Sequence, residues 1–477
     1  MEKNLPKIHR SPVIEKIECN CPLEDLFAHF ARIPDTSFLN SSLETDAGRY
    51  SFIGIEPFLV LSGKDNNLQI RSDGRRLSIK SDPFKCLESL IRTYRTDNNT
   101  PLPFVAGGIG YLSYDLKDIL ERLPQRAKDD LDLPDIYFVF YRALLIHDRL
   151  EPRRLYISIV DIDPGGHKKT NELMKEIKEA VKAASGTIRP APESVLHEPV
   201  FESNFSKTGY IRSVRKVIDY IRGGDIYQTC LSQRFKTEWP FHPYDLYLRL
   251  NKINPSPFSA YLNFERSRVI SSSPELFLRL ADNTVETRPM KGTRPRGKDA
   301  GDDIVLKERL EKSRKDEAEL AMIVDLERND LGKIGVPGSI EVAEHRRIET
   351  YPTVFQTISI VKSRVSGGIS PVDIIKAAFP GGSISGCPKI RAMEIIDELE
   401  PTRRNVYTGS VGYISFHNTM DLNIAIRTMI MKGKDVYFQV GSGIVADSDP
   451  EAEYRETLDK ARALMESLRV SACSCVP

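Results

Sequence analysis

The chain has 477 residues, of which 40% are apolar and 28% charged, and 68 Lys and Arg against 67 Asp and Glu give a formal net charge of +1. This balance excludes a general nucleic-acid binder, which would carry a strongly basic face or tail, and the length predicts roughly two to four structural units. The sequence has no apolar run long enough to cross a membrane, and the opening MEKNLPKIHRSP has no signal-peptide core. We therefore expect neither membrane spanning nor secretion.

The first half of the chain is predicted to form strands joined by turns. Alternating or continuous apolar patterns indicate strands at 49–63, 137–148 and 153–163. An amphipathic helix follows, with Leu173, Ile177 and Val181 at helical spacing. Pro-rich and polar residues then indicate a linker. The predicted domains are a strand-rich region 1–185, a linker 186–204, a second domain 205–470 and a tail 471–477.

The second half mixes helices with strands. Ser206 is a candidate N-cap for a helix that ends at Gly223 and Gly224, and a long helical stretch is expected over 302–330. Asp449 and Pro450 suit the N-cap and first position of the last helix. Helices among antiparallel-looking strands predict an α+β fold.

Scattered cysteines predict a reducing environment. The seven lie at 19, 21, 86, 230, 387, 473 and 475, which is no disulfide framework, so we expect a cytoplasmic protein. The two Cys-x-Cys pairs could join in a zinc site, but their spacing is not the usual one, and incidental thiols are favoured.

Three glutamates are candidate metal ligands. Glu453 and Glu456 are predicted to share a face of the last helix, and Glu319 stands beside an apolar run. Burying a carboxylate is costly unless it is paired or bound to a metal. If Glu319 met Glu456 across two helices, the oxygens would suit Mg²⁺. The alternative is that all three are surface charges in helix ion pairs.

Two glycine-rich segments are candidate ligand loops. Gly381 and Gly386 have P-loop spacing, but Cys387 and Pro388 follow where that motif needs lysine and then Ser or Thr, so ATP is rejected. The loop either binds an anion through its backbone N–H groups or is a simple tight loop. The GSG at 441–443 either lets a ligand approach the backbone or forms a bulge.

The basic stretch ETRPMKGTRPRG raises a question about Lys291. It is either one more solvated charge or a nucleophile, and a lysine becomes nucleophilic when burial or nearby cations lower its pKa. The neighbouring arginines could have that effect. Glu275, at the end of a neighbouring strand, is either a general acid or a turn carboxylate.

The motifs together resemble those of the chorismate-utilising enzymes. PMKGTRPRG, KDEAELAMIVDLERNDLG, FPGGSISGCPKIRAMEIIDELEP, GSVGYISF, NIAIRT and GSGIVADSDPEAEYRET occur in that family's order. The resemblance is strong over 205–468 and weaker through GRYSFIG and GGIGYLSYD. The family includes anthranilate synthase, aminodeoxychorismate synthase, isochorismate synthase and salicylate synthase. It implies two sheet-containing subdomains packed as a β-sandwich core flanked by helices.

The resemblance also implies roles for individual residues. Mg²⁺ on Glu319 and Glu456, with Glu453 nearby, is expected to hold the C1 carboxylate of chorismate. The remaining substrate contacts implied are Gly441, Gly443, Tyr407, Arg427, Gln228 and Ser383.

Three positions indicate the subgroup. Lys291 stands before Gly-Thr, as in the aminodeoxychorismate group, where other members have alanine. Gln228 replaces the general-base lysine of isochorismate synthases. Gln356 replaces a histidine of anthranilate synthases, which fits a product that keeps its enolpyruvyl group. The resemblance then implies that Lys291 attacks C2 of chorismate while Glu275 protonates the departing C4 hydroxyl, and that ammonia adds at C4.

The source of ammonia is expected outside this chain. The sequence has no G-x-C-x-G glutaminase motif, so the resemblance implies a separate glutamine amidotransferase subunit. Two alternatives stay open, an anthranilate synthase component and a non-catalytic binding protein of the same fold.

Overall fold

The structure is a computed structural model that describes residues 5–162, 167–184, 196–351 and 354–470. Most of the predicted linker and the whole predicted tail, with Cys473 and Cys475, lie outside the described residues.

The elements of the first half are mostly strands. In chain order they are β1 (Val13–Glu18), α1 (Leu23–Ala28), β2 (Thr36–Asn40), β3 (Tyr50–Lys64), β4 (Asn67–Ser72), β5 (Arg75–Lys80), α2 (Pro83–Thr93), β6 (Gly107–Leu112), α3 (Lys117–Leu120), β7 (Ile136–Asp148), β8 (Arg154–Ile159) and α4 (His167–Ala184).

The second half alternates more evenly between strands and helices. Its first elements are β9 (Glu202–Ser203), α5 (Lys207–Arg222), β10 (Gln228–Glu238), α6 (Pro243–Ile253), β11 (Phe258–Asn263), β12 (Arg268–Ser273), β13 (Leu276–Ala281), β14 (Thr284–Thr287), β15 (Met290–Pro295), α7 (Ala300–Glu311) and α8 (Arg314–Gly332). The rest are β16 (Glu341–Thr350), β17 (Val354–Arg364), α9 (Pro371–Ala378), β18 (Gly386–Cys387), α10 (Lys389–Leu399), β19 (Ser410–Ser415), β20 (Met420–Asn423), β21 (Thr428–Lys432), β22 (Asp435–Ile444) and α11 (Pro450–Leu468).

Helix caps set several of these boundaries. The Ser206 hydroxyl accepts the Gly209 N–H at the start of α5, and the Asp449 carboxylate accepts the Ala452 N–H at the start of α11, which confirms both predicted N-caps. The prediction of one long helix over 302–330 is wrong. The chain breaks between α7 and α8, because Ser313 caps a new helix by accepting the Asp316 N–H.

Strands from the two halves of the chain pair directly. The pairings between the named strands are antiparallel; β2 of the first half pairs with β11 of the second, and β6 pairs with β19. Part of the predicted linker is also paired, because β9 lies along β10. The α+β class is confirmed, with the strands joined in one hydrogen-bonded network and helices packed around it.

Both faces of the central strands are buried. In β7, Phe138 and Phe140 pack into the apolar cluster that also takes side chains from α2, α8 and α9. The alternating Val139 and Tyr141 enter a second cluster on the other face. Since side chains alternate across a strand, this places β7 between two layers of core. No helix among the described residues has the length and apolar content that a membrane crossing requires.

Candidate active site

Lys291 lies on β15, directly before a backbone bulge. The pairing of β15 with β17 shifts register between Lys291 and Thr293, and Gly292 between them has φ of +74°. A Cβ on Gly292 would come within 3.0 Å of Asp316 on α8. The glycine therefore allows both the bulge and the close contact with α8, and the bulge re-aims the neighbouring side chains.

The arginines around Lys291 are neutralised by carboxylates of their own. The idea that they act as free cations beside the lysine is wrong for this reason. The pairs are Arg288 with Glu286 and Asp46, Arg294 with Asp316, and Arg296 with Asp303.

Two glycines on β22 lie against the side chains of other predicted site residues. A Cβ on Gly443 would lie 2.4 Å from Gln228 Nε2 and 3.2 Å from Lys291 Nζ. A Cβ on Gly441 would lie 3.1 Å from the Tyr407 hydroxyl. The structure therefore brings these five predicted site residues together around one strand, and the glycines let the side chains of Gln228, Lys291 and Tyr407 approach its backbone closely.

Glu275 is a buried carboxyl on which the Lys291 charge acts. It is 4% exposed, and the Ser383 side chain and the Met290 backbone lie near enough to lower its pKa. Burial raises the pKa of Glu275 to about 7, against the opposing effects of Ser383 and the Lys291 charge. A carboxyl that is partly protonated near neutral pH suits proton donation.

Glu319 on α8 and Glu453 on α11 are both largely buried. Burial raises the pKa of Glu319, the Lys291 charge opposes this, and the charge of Glu453 adds to it. Glu453 is 5% exposed, and its Oε1 accepts a hydrogen bond from the Ser448 hydroxyl at 2.6 Å. Glu453 Oε2 is buried and has no hydrogen-bond partner in the described part of the chain. The surface-charge alternative is thus wrong for Glu453, whereas Glu319 makes the expected kind of helix ion pair, with Lys315 at 3.8 Å.

Glu456 has a half-exposed side chain and makes a helix ion pair with Lys460, as the surface-charge alternative expected. Lys460 Nζ lies 2.7 Å from Glu456 and donates to the Gly441 carbonyl at 3.0 Å. Burial raises the pKa of Glu456, but the Lys460 charge and hydrogen bond outweigh it, with help from Lys291, and the pKa is lowered. The four-residue spacing of Glu456 and Lys460 was a readable signal, but it did not reveal the contact with Gly441.

The three candidate glutamates are ligands of the kind that bind a hard cation, but they do not form a complete metal site. Within the described ranges, no three metal-binding side chains are already grouped as a metal site. The charge of Glu453 nevertheless acts on Glu319 across α8 and α11, the charges of Lys291 and Lys315 act on both Glu319 and Glu456, and Glu453 Oε2 is an orphaned buried acceptor. Oxygen ligands of this kind are those that Mg²⁺ prefers.

Arg427 is a guanidinium with no acidic partner among the described residues. Its Nη1 donates to Asn254 Oδ1 at 2.9 Å, and burial lowers its pKa. Its φ of +49° is rare for a residue with a side chain, and such conformations collect at functional sites. An arginine without an acidic partner is suited to a ligand carboxylate.

A separate cavity opens beside the first half of the chain. It holds about 240 Å³ and is not lined by Lys291, Glu275 or Glu319. Leu39, Asn40 and Ser41 contribute to its wall.

Comparison with known proteins assigns the family. A family model described as chorismate binding enzyme matches residues 40–466. The chain belongs to the chorismate binding enzymes. The resemblance read from the motifs is confirmed, and the alternative of a non-catalytic binding protein is set aside because this is a family of enzymes that use chorismate.

Curated chorismate binding enzymes with two different names are equally similar to this one. Aminodeoxychorismate synthase component 1 of Bacillus subtilis (strain 168) is 38% identical over 429 residues, covering 89% of this chain and 90% of that protein. Anthranilate synthase component 1 of Aquifex aeolicus (strain VF5) is also 38% identical over 429 residues, covering 89% and 87%. Sequence similarity alone therefore does not choose between the two reactions.

A solved chorismate binding enzyme has the same fold. Anthranilate synthase component I from Streptococcus pneumoniae TIGR4 superposes with a TM-score of 0.77 at 32% identity, covering 89% of this chain and 93% of that one. The menaquinone-specific isochorismate synthase of Escherichia coli, at 17% identity and a TM-score of 0.70, shares the fold; it covers 97% of this chain and 96% of that one.

Proposed function

We propose that this enzyme is an aminodeoxychorismate synthase, which converts chorismate and ammonia into 4-amino-4-deoxychorismate for p-aminobenzoate and folate synthesis. The observation that supports this most is the position of Lys291. Its amine lies close to the Gly443 backbone, and the charge of Lys291 acts on Glu275, a buried carboxyl able to donate a proton. A nucleophile beside a proton donor is what a covalent substitution needs.

In the first step, Lys291 gives up its proton to solvent, and its neutral amine attacks C2 of chorismate. Both ring double bonds shift, the C4–O bond breaks, and the Glu275 carboxyl gives its proton to the departing hydroxyl, so that water leaves. In the second step, ammonia attacks C4, both double bonds shift back, and the C2–N bond breaks with its electrons returning to Lys291. Glu275 recovers a proton from the new C4 ammonium group, and both residues are restored.

Substrate recognition uses the unpaired polar groups of the site. Arg427 and Tyr407 hold the enolpyruvyl carboxylate, since a guanidinium binds a carboxylate through two parallel hydrogen bonds. The backbone of Gly441 and Gly443 faces the C1 carboxylate. Gln228 has its Oε1 buried and unpaired within the described residues, which leaves it free for a substrate hydroxyl.

Glu319, Glu453 and Glu456 are proposed to hold Mg²⁺. When bound, the ion supplies positive charge that neutralises the C1 carboxylate. Burying Glu319 and Glu453 near one another costs free energy, and a bound cation would offset part of that cost. The buried Glu453 Oε2, which has no hydrogen-bond partner among the described residues, supports this proposal.

Ammonia is proposed to come from a separate glutamine amidotransferase subunit in the cytoplasm. The absence of a G-x-C-x-G motif from the sequence supports an external source.

Anthranilate synthesis is the second candidate, because relatives with that name are as similar as those named aminodeoxychorismate synthase. Incubation of the purified protein with chorismate, Mg²⁺ and ammonium, followed by mass spectrometry, separates the two. A product that keeps its enolpyruvyl group and yields p-aminobenzoate with an added lyase supports the proposal. Anthranilate and free pyruvate would contradict it.

A further inference from the structure

Glu327 is a buried carboxylate that the proposed reaction does not use. It lies on α8, about two helical turns after Glu319, and is 3% exposed. Its Oε1 accepts the backbone N–H of Gly382 at 3.0 Å. Its Oε2 is buried without a hydrogen-bond partner in the described part of the chain. A half-satisfied buried carboxylate is costly, so its presence needs a reason.

The group that Glu327 holds is the turn Gly382–Ile384. A Cβ on Gly382 would lie 2.8 Å from Leu326 Cδ2 and 3.0 Å from Glu327 Oε1, so the turn is pressed against α8. The next residue of the turn, Ser383, lies beside the Glu275 carboxyl and lowers its pKa. One continuous set of contacts therefore runs from Glu327 through the turn to Glu275.

Helix α8 also fixes the segment that leads into the turn, through Asp330 and its partner Lys389. Lys389 Nζ donates to the carbonyls of Ala378 and Pro380, both at 2.8 Å, and pairs with Asp330 on α8. With the entry tied through Asp330 and the turn tied through Glu327, the position of Ser383 is set by α8.

The charges of Glu327 and Glu275 also act on each other. Burial raises the pKa of Glu327 to about 7; the Asp330 charge adds to this, Lys389 opposes it, and Glu275 contributes repulsion. A negative Glu327 disfavours loss of the proton from Glu275. The other titratable groups that act on Glu275 are Lys291, Lys460 and Tyr351.

We propose that Glu327 is a positioning residue for Glu275, because through Gly382 it fixes the turn that places the Ser383 hydroxyl on the Glu275 carboxyl. Glu327 does not itself touch the substrate. The inference rests on the proposed role of Glu275 as proton donor.

Two substitutions at Glu327 separate its hydrogen bond from its charge. Glu327→Ala removes both, and we expect kcat for chorismate consumption to fall at least about tenfold with KM changed little, because proton donation and not binding is impaired. Glu327→Gln keeps an acceptor for Gly382, and we expect kcat within about threefold of the parent at its pH optimum. The basic limb of the kcat–pH profile of this variant should move to lower pH. Without the negative charge at position 327, Glu275 loses its proton at a lower pH.

Glu317→Gln is the matched control, since Glu317 is exposed on the same helix. It should leave kcat and the pH profile unchanged. Measuring chorismate consumption rather than one product keeps this test valid whichever product forms.

A second readout needs no turnover. Infrared absorption of the protonated carboxyl, assigned to Glu275 by its loss in Glu275→Gln, is followed against pH in the folded protein. The midpoint should fall in Glu327→Gln. A protein that does not consume chorismate would refute the proposed function and still leave this titration decisive. An unchanged midpoint together with unchanged kcat in both Glu327 variants would overturn the inference.

Discussion

At the residue scale, the candidate site combines buried ionisable groups with glycine backbone. Glu275 is a buried carboxyl on which the Lys291 charge acts, and the lysine amine lies close to the backbone of Gly443. Burial raises the proton affinity of Glu275, and the missing side chain of Gly443 leaves the space that the Gln228 and Lys291 side chains occupy.

The pKa of Glu275 predicts the pH dependence of turnover. Because the protonated carboxyl is the active form in the proposed mechanism and its pKa is about 7, we expect kcat at saturating free ammonia to fall as pH rises through about 7.

Glu275→Gln cannot donate a proton in this way and should lose at least about a hundredfold in kcat. Rate measurements from pH 5.5 to pH 9 would show it; a kcat in Glu275→Gln equal to that of the parent would refute the role.

Gly443 should not tolerate a side chain. A Cβ there would meet Gln228 Nε2 at 2.4 Å and Lys291 Nζ at 3.2 Å, so Gly443→Ala is expected to raise KM for chorismate at least about tenfold. Gly367→Ala is the control, because nothing lies within 4 Å of the added carbon. Steady-state kinetics compare the two, and equal KM values would contradict the proposed binding surface.

Sequence could identify Lys291 and Glu275 as candidates but not their surroundings. The arginines next to Lys291 looked like activating cations, yet each is paired with a carboxylate from elsewhere in the chain. Lys460 and Glu327 were missed because their partners, the Gly441 carbonyl and the Gly382 amide, come from other elements. Such contacts arise only from tertiary packing.

At the element scale, the three candidate metal ligands lie on two helices, α8 and α11. Glu319 projects from α8, and Glu453 and Glu456 project from α11. The N-caps Ser206 and Asp449 could be predicted because a cap is a local signal. The break at Ser313 is also a local capping event, but it interrupts a polar run with no clear apolar period, so one helix was expected where two form.

Removal of the metal should abolish activity. We expect excess EDTA to stop chorismate turnover and added Mg²⁺ to restore it, and Glu456→Ala to lose both activity and the response to Mg²⁺. Glu466→Ala, an exposed position on the same helix, should behave like the parent. Full activity in EDTA would show that these glutamates do not act through a metal.

At the scale of the whole molecule, the two halves of the chain are interlocked. The pairing of β6 with β19 and of β2 with β11 crosses the boundary that composition predicted. Pairing between distant strands depends on residues far apart in the chain, so no local pattern reveals it, although the α+β class itself was readable from the alternation of strand and helix patterns.

This interlocking predicts that the second half will not fold alone. A fragment of residues 205–470 would expose the unpaired edges of β11 and β19, and exposed edges promote aggregation. We expect the fragment to lack a cooperative thermal transition by circular dichroism, and co-expression with residues 1–185 to restore one. A monomeric fragment with a sharp transition would contradict this.

The central claim is that Lys291 becomes covalently bound to the substrate, and trapping that adduct tests it most directly. The protein is incubated with chorismate and Mg²⁺ without ammonia, digested and mapped by mass spectrometry. The account predicts a mass increase equal to chorismate minus water on Lys291, absent in Lys291→Ala, which should bind chorismate yet lose at least about tenfold in turnover, or about 1.4 kcal/mol of transition-state stabilisation. An unmodified Lys291 in the parent, together with full turnover in Lys291→Ala, would contradict it.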